Sequence, residues 1–248
     1  MTQKKKVEQI NSERKRQPWW KLAIWGIALA AWVGGTLFIS QYLVGKIFIL
    51  LLPVALLTNN VVNAIYSVVA YAVCMIVSIG LPWWVLKMKT TRDEIGMRGL
   101  PTWTDLLLAP VGFVVTMILA GVLTAIMMAL FPGDFWQQAQ NVGFHGLYQF
   151  HEYALAFICL VVLAPICEEI LFRGWLYGKL RFRMPMVPAM LIVSALFGIM
   201  HGQWNVGVTV FAMSLGMCLM RELTGTIWSG VILHMIKNGI AFYALFVL

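Results

Sequence analysis

A chain of 248 residues that is 61% hydrophobic and only 11% charged, with mean hydropathy +0.83, has too little polar surface to cover a soluble domain of that size. Its net charge of +8 would suit nucleic acid, but the 18 Lys and Arg residues gather at the ends of apolar segments and not along a soluble face, which excludes that partner. Repeated apolar stretches of about 20 residues, each able to cross roughly 30 Å of hydrocarbon, predict an all-α, polytopic transmembrane helix bundle of about seven spans, within a range of about six to eight.

In chain order, residues 1–18 form a basic arm (KKK, then RKR) with no small-residue cleavage site behind the apolar run that follows. The first span is therefore expected to be its own targeting signal, with no cleaved leader. Spans are predicted near 19–44, 61–86, 105–131, 153–178, 186–203, 206–220 and 227–248. The stretch KIFILLLPVALLT at 46–58 is too short to cross alone and reads as a re-entrant segment or an extended helix end. Residues 89–104, opening KTTRDEIG, mix charge with isolated apolar residues, as a short loop or interfacial helix does. No internal repeat and no second, soluble domain is visible.

The cations orient the chain. Fifteen of the 18 lie in four places: the arm with Lys21, residues 87–98, residues 179–183, and Arg221. With seven crossings these all fall on one face, which the positive-inside rule makes cytoplasmic, so the N-terminus is inside and the C-terminus outside. The loop 132–152 has neither Lys nor Arg and belongs outside, together with His145 and His151. Tryptophans follow the same division: Trp19, Trp20, Trp83, Trp84, Trp103, Trp175 and Trp228 are expected near the inner interface, Trp136 and Trp204 near the outer one. Cys74, Cys159, Cys167 and Cys218 sit in apolar segments without metal-ligand spacing and read as small buried hydrophobes.

The stretch APICEEILFRG at 164–174 is the exception to this pattern. An acidic residue at the centre of a spanning helix costs roughly 2.5–3.5 kcal/mol on the insertion scale, so such a group normally faces a partner or a cavity. Glu169 and Arg173 stand four residues apart, share a helix face and can neutralise each other. Glu168 is rotated by about 100° from Glu169 and its i+4 neighbour is Phe172, so it has no charged partner on its own helix. Pro165 frees a backbone carbonyl nearby and predicts a kinked helix that borders water or protein. His201 ends the fifth predicted span, and His234 and Asn238 share a face of the seventh. Helix rise brings all four groups to comparable depth near mid-membrane. Each polar residue taken singly reads more simply as a satisfied interhelical hydrogen bond. As a set they suit peptide hydrolysis: Glu168 and His201 holding and deprotonating a water, His234 and Asn238 donating to the tetrahedral oxyanion.

These segments resemble the signature of the CPBP family (CAAX proteases and bacteriocin-processing enzymes), also called Abi. Its EExxxR motif is matched by Glu168, Glu169 and Arg173, its FxxxH by Phe197 and His201, and its HxxxN by His234 and Asn238. The likeness covers about residues 150–245. It implies a division into the arm 1–18, an N-terminal transmembrane region 19–149 and a catalytic transmembrane core 150–248. The resemblance implies an intramembrane endopeptidase, multi-pass in a bacterial cell membrane, acting on a membrane-associated peptide or protein in CAAX-like processing, peptide maturation or bacteriocin self-immunity. Glu168, His201, His234 and Asn238 would then be catalytic, with Glu169, Arg173 and Phe197 in support.

A metal-free glutamate mechanism is favoured, with no cofactor. Zinc stays open as an alternative, held by Glu168, His201 and His234 with one position left for water. The usual HExxH is absent, since the HE at 151–152 continues as HEYAL. Lys237, between His234 and Asn238, departs from the apolar or amide residue expected there. Two competing functions are an inactive membrane scaffold of the same fold and a proton-coupled transporter. The transporter is disfavoured by the absence of an inverted repeat.

Overall fold

The computed structural model describes residues 18–138, 142–144 and 146–248; the basic arm before Pro18 and His145 lie outside the described residues. Helix α1 spans Trp19–Leu51 and continues well past residue 44, because KIFILL extends it until Leu52 turns to extended backbone before Pro53. The 46–58 stretch is thus a helix extension followed by a single turn, α2 (Val54–Leu57). Asn59 starts α3 (Asn60–Leu86) by accepting hydrogen bonds from the backbone of Val61 and Val62. Two capping boxes follow. Thr91 with Glu94 opens the short α4 (Arg92–Ile95), and Thr102 with Asp105 opens α5 (Trp103–Leu130).

Past a 3₁₀ turn at Asp134–Gln137 come α6 (Phe150–Arg183), α7 (Met186–Ile199), α8 (Trp204–Thr224) and α9 (Trp228–Phe246). Six of these helices have the length and apolar character of membrane spans, and the protein is an integral, multi-pass membrane protein. α7, at 14 residues, stops at Ile199 and not at 203, and Gly202 takes a left-handed turn (φ +68°) into α8. α7 still passes between the two ends of the bundle. Before it, the Arg183 guanidinium lies over the Trp25 ring, and after it Trp204 packs beside Phe135. His151, expected in the outer loop, instead lies in the first turn of α6 because Gln149 and Glu152 cap that helix earlier than predicted.

α6 is the central element. Phe172, Trp175, Leu176, Tyr177 and Leu180 along it are all at most 1% exposed. Trp175 is therefore a core residue and not an interfacial one. α1, α3 and α5 turn residues such as Phe38, Val68, Val111 and Ile118 outward. Facing lipid tails, these apolar groups incur no exposure cost, so helix association rests on close packing and polar contacts. The α7–α8 crossing shows this: a Cβ on Gly198 would lie 2.8 Å from the Gly207 carbonyl oxygen.

The cationic places meet at one end. Lys179 donates to the Lys89 carbonyl at 2.7 Å and pairs with Glu94 at 3.2 Å. Arg221 donates to the carbonyls of Glu94 (2.6 Å) and Gly174 (3.0 Å). Ile227 N–H donates to Gly96, and Trp228 Nε1–H to the Gly99 carbonyl. The 89–104 segment thus straps three helices together, and Gly174 admits it, since a Cβ there would lie 2.6 Å from Ile95. At the opposite end Asn60 bonds Glu152 (3.0 Å) and Asn205 bonds the Gln138 carbonyl (2.9 Å).

Candidate active site

α6 does not run as a uniform α-helix. Residues Ile158–Leu163 and Ile170–Leu176 are wound as π-helix, with the intervening turn Ala164–Glu169 carrying the two carboxylates. The first π stretch ends on a bond from Ala164 N–H back five residues to Cys159. The next bond in that register would run from residue 165 to the Leu160 carbonyl, but Pro165 has no N–H. Asn238 of α9 fills the place, its Nδ2 donating to Leu160 O at 2.9 Å. One of the two amide N–H groups of Asn238 is thereby committed to holding α6.

The adjacent glutamates face different surroundings. Glu169 is fully buried; its Oε1 accepts from Arg173 Nη1 at 2.7 Å and from His234 Nδ1 at 3.3 Å. Gly230 makes room for it, since a Cβ at that position would sit 3.0 Å from Glu169 Oε2. The Arg173 guanidinium in turn lies 4.2 Å from the centre of the Phe197 ring. Glu168 points the other way, into a cavity. Its Oε1 accepts a 2.6 Å hydrogen bond from Tyr71 of α3, and its Oε2 is 3.9 Å from His234 Nε2, beyond hydrogen-bond reach.

Phe197 organises the two imidazoles. Its ring meets Phe172, His201 and His234 edge-on, with centroids 4.9, 5.0 and 5.8 Å away. Its carbonyl also lies 2.7 Å from His201 Nδ1. A carbonyl oxygen only accepts, so Nδ1 carries the proton, and Nε2 of the neutral ring has a free lone pair. By the same reasoning His234 donates from Nδ1 to Glu169, which leaves its Nε2 on the side of Glu168.

The cavity has a volume of about 290 Å³ and is lined by Glu168, His201, His234, Asn238, Lys237 and Tyr71 among apolar walls that include Leu37, Leu160, Phe197 and Phe242. The proposed catalytic residues therefore line one space, Phe197 borders it, and Glu169 and Arg173 stand directly behind it. Lys237 lines it as well and does not turn to another face; among the described residues no hydrogen bond or ion pair holds its ammonium. Tyr71 and Gln41 come from the N-terminal region, so the cavity is not confined to residues 150–248. Sequence reasoning missed Tyr71. The available signal was a tyrosine about 16 Å inside a span, away from the interfacial belts where tyrosine usually gathers.

For a metal, no group of three or more His, Cys, Asp or Glu side chains among the described residues is arranged to hold an ion. The Glu168, His201 and His234 trio, with His234 turned toward Glu169, does not form a ligand set as it stands.

Comparison with known proteins bears on residues 150–240, which match the family model described as type II CAAX prenyl endopeptidase Rce1-like. The Bacillus subtilis (strain 168) protein described as "Putative membrane peptidase YdiL" is 25% identical over 183 residues, covering 73% of this chain and 72% of that protein. No solved structure matches significantly.

Proposed function

We propose, from the Rce1-like match of residues 150–240, that this protein is an intramembrane endopeptidase that hydrolyses a peptide bond in a membrane-associated peptide or protein. The observation that carries the reading is the cavity in which Glu168, hydrogen-bonded by the Tyr71 hydroxyl, faces two histidines and an amide. Glu168 and His201 Nε2 hold a water between them. As the water oxygen bonds to the scissile carbonyl carbon, its proton passes to the Glu168 carboxylate. The carbonyl π-electrons move onto oxygen, and the resulting oxyanion accepts hydrogen bonds from His234 Nε2–H and the remaining N–H of Asn238. Donation from His234 Nε2 requires the doubly protonated ring, whose Nδ1–H is held by Glu169 and whose charge faces the developing oxyanion. Collapse of the intermediate breaks the C–N bond, and the leaving nitrogen takes the proton from Glu168. The products are one carboxylic acid, which keeps the second water hydrogen, and one amine; Glu168 returns to its carboxylate form.

The test is cleavage by the purified protein in proteoliposomes, with products identified by mass spectrometry. Wild type should release peptides, and Glu168→Ala and His201→Ala should each lower the rate by about 10²–10⁴-fold. Full cleavage by both variants overturns the reading. Adding a chelator to the wild-type assay tests the metal-free reading separately, with unchanged turnover expected.

A further inference from the structure

We infer that the cavity is entered from the extracytoplasmic side, so that the substrate is a peptide segment exposed on the outer face of the membrane and not a cytosolic tail. The inference rests on the proposed peptidase reading for the word substrate, but its geometry is independent of catalysis.

Two observations meet here. The first is the arrangement of the ends. Lys89, Lys179, Arg183 and Arg221 lie at the end strapped by the 89–104 segment, and the described residues of the connections at the other end, 52–59, 131–138, 142–144 and 146–149, include neither Lys nor Arg. Cation-rich connections remain in the cytoplasm.

The second is the direction in which the cavity opens. Its floor is closed: Phe172 and Phe197 are 1% exposed and His234 is 3% exposed. Glu168 lies about 22 Å from the cationic end, by its 15-residue separation from Arg183 along α6. From that depth the lining proceeds only away from the cationic end. It passes Asn238 and Ala241 to Leu245 on the last turns of α9, Gln41 on the far half of α1, and Val142 in the connection opposite the strap. Leu245 and Gln41 are exposed at this rim. No residue of the strapped end lines the space.

Apart from Gln41 the rim is apolar (Leu37, Val142, Phe242, Leu245), and Glu168, His234, Lys237 and Asn238 lie beneath it. That order suits a peptide whose scissile bond lies beside a lipid-embedded or strongly apolar stretch, the apolar part resting on the rim as the backbone reaches Glu168. An exported, membrane-held peptide or the outer juxtamembrane segment of another membrane protein has this chemistry.

Cysteine accessibility in intact cells tests the side without needing any activity. Leu245→Cys and Val142→Cys at the rim, Met200→Cys inside the cavity and Lys89→Cys at the strapped end are made singly with the four native cysteines replaced by alanine. A membrane-impermeant maleimide is then applied before and after permeabilisation. The expected result is labelling of the two rim positions and of Met200→Cys in intact cells, and of Lys89→Cys only after permeabilisation, at least a tenfold contrast. Labelling of the rim only after permeabilisation, or of Met200→Cys only when the inner face is opened, overturns the inference. Should the cysteine-free protein not accumulate, fusions of alkaline phosphatase and green fluorescent protein after Leu248 of the natural chain give the same answer. An active phosphatase and dark fluorescent protein are expected, and the reverse pair overturns the outer entry. These outcomes are distinct from those of the cleavage assay: accessibility from the inner face leaves hydrolysis intact, and loss of hydrolysis leaves the side of entry as measured.

Discussion

Glu168 and Glu169 are neighbours in sequence and opposites in environment. Glu169 is sealed behind the site, with Arg173 at 2.7 Å and His234 at 3.3 Å, and none of its surface reaches solvent. The Glu168 side chain is 16% exposed, borders the cavity and has the Tyr71 hydroxyl as its short partner. A single 100° helical step separates a carboxylate neutralised inside the protein from one available to a bound molecule. A charge within a membrane span thus acquires its role from what its helix face meets.

The largest expected effect comes from breaking the sealed side. Glu169→Gln leaves the Arg173 cation buried without its counter-charge and should destabilise the fold by about 3–5 kcal/mol, measured as a lowered melting temperature in detergent. Adding Arg173→Met should recover a large part of that loss, because removing both charges is far less costly than removing one. If the single variant melts like wild type, Glu169 is not the structural member of the pair.

Gly230→Ala presses a methyl against the same carboxylate, which Arg173 and His234 already pin from the other side. A loss of about 1–3 kcal/mol is expected, again seen as a melting shift. The smallest effect lies on the open side. Tyr71→Phe removes the short hydrogen bond that orients Glu168, so turnover should fall about tenfold, with the melting temperature lowered by at most a few degrees. A melting shift without a rate change would instead make Tyr71 a packing residue.

The all-helical, multi-pass architecture was legible because apolar run length and the placement of cations are local properties of the sequence. The i, i+4 relation of Glu169 and Arg173 was legible for the same reason, since helix periodicity alone puts them on one face. The tertiary consequences were not. Whether Lys237 faces the cavity depends on how α9 is rotated against α6, and nothing within HMIKN states that rotation. The link from Asn238 to Leu160 depends on a π register, in which the carbonyl freed by Pro165 lies five residues back and not four. Tyr71 lies 97 positions from Glu168, and Gly230 reads as an ordinary small residue until the carboxylate beside it is seen. The early stop of α7 was hidden because LFGIMHG is apolar nearly to its end, and only the Gly202 turn terminates it.

The division between the two glutamates is tested most directly by Glu168→Gln, assayed for peptide release in proteoliposomes and for thermal unfolding on the same preparation. The substitution keeps the volume and removes the base, so turnover should fall by about 10²–10⁴-fold while the melting temperature stays at the wild-type value. Retained turnover, or unfolding like that expected of Glu169→Gln, would contradict the assignment of Glu168 as the water-activating carboxylate.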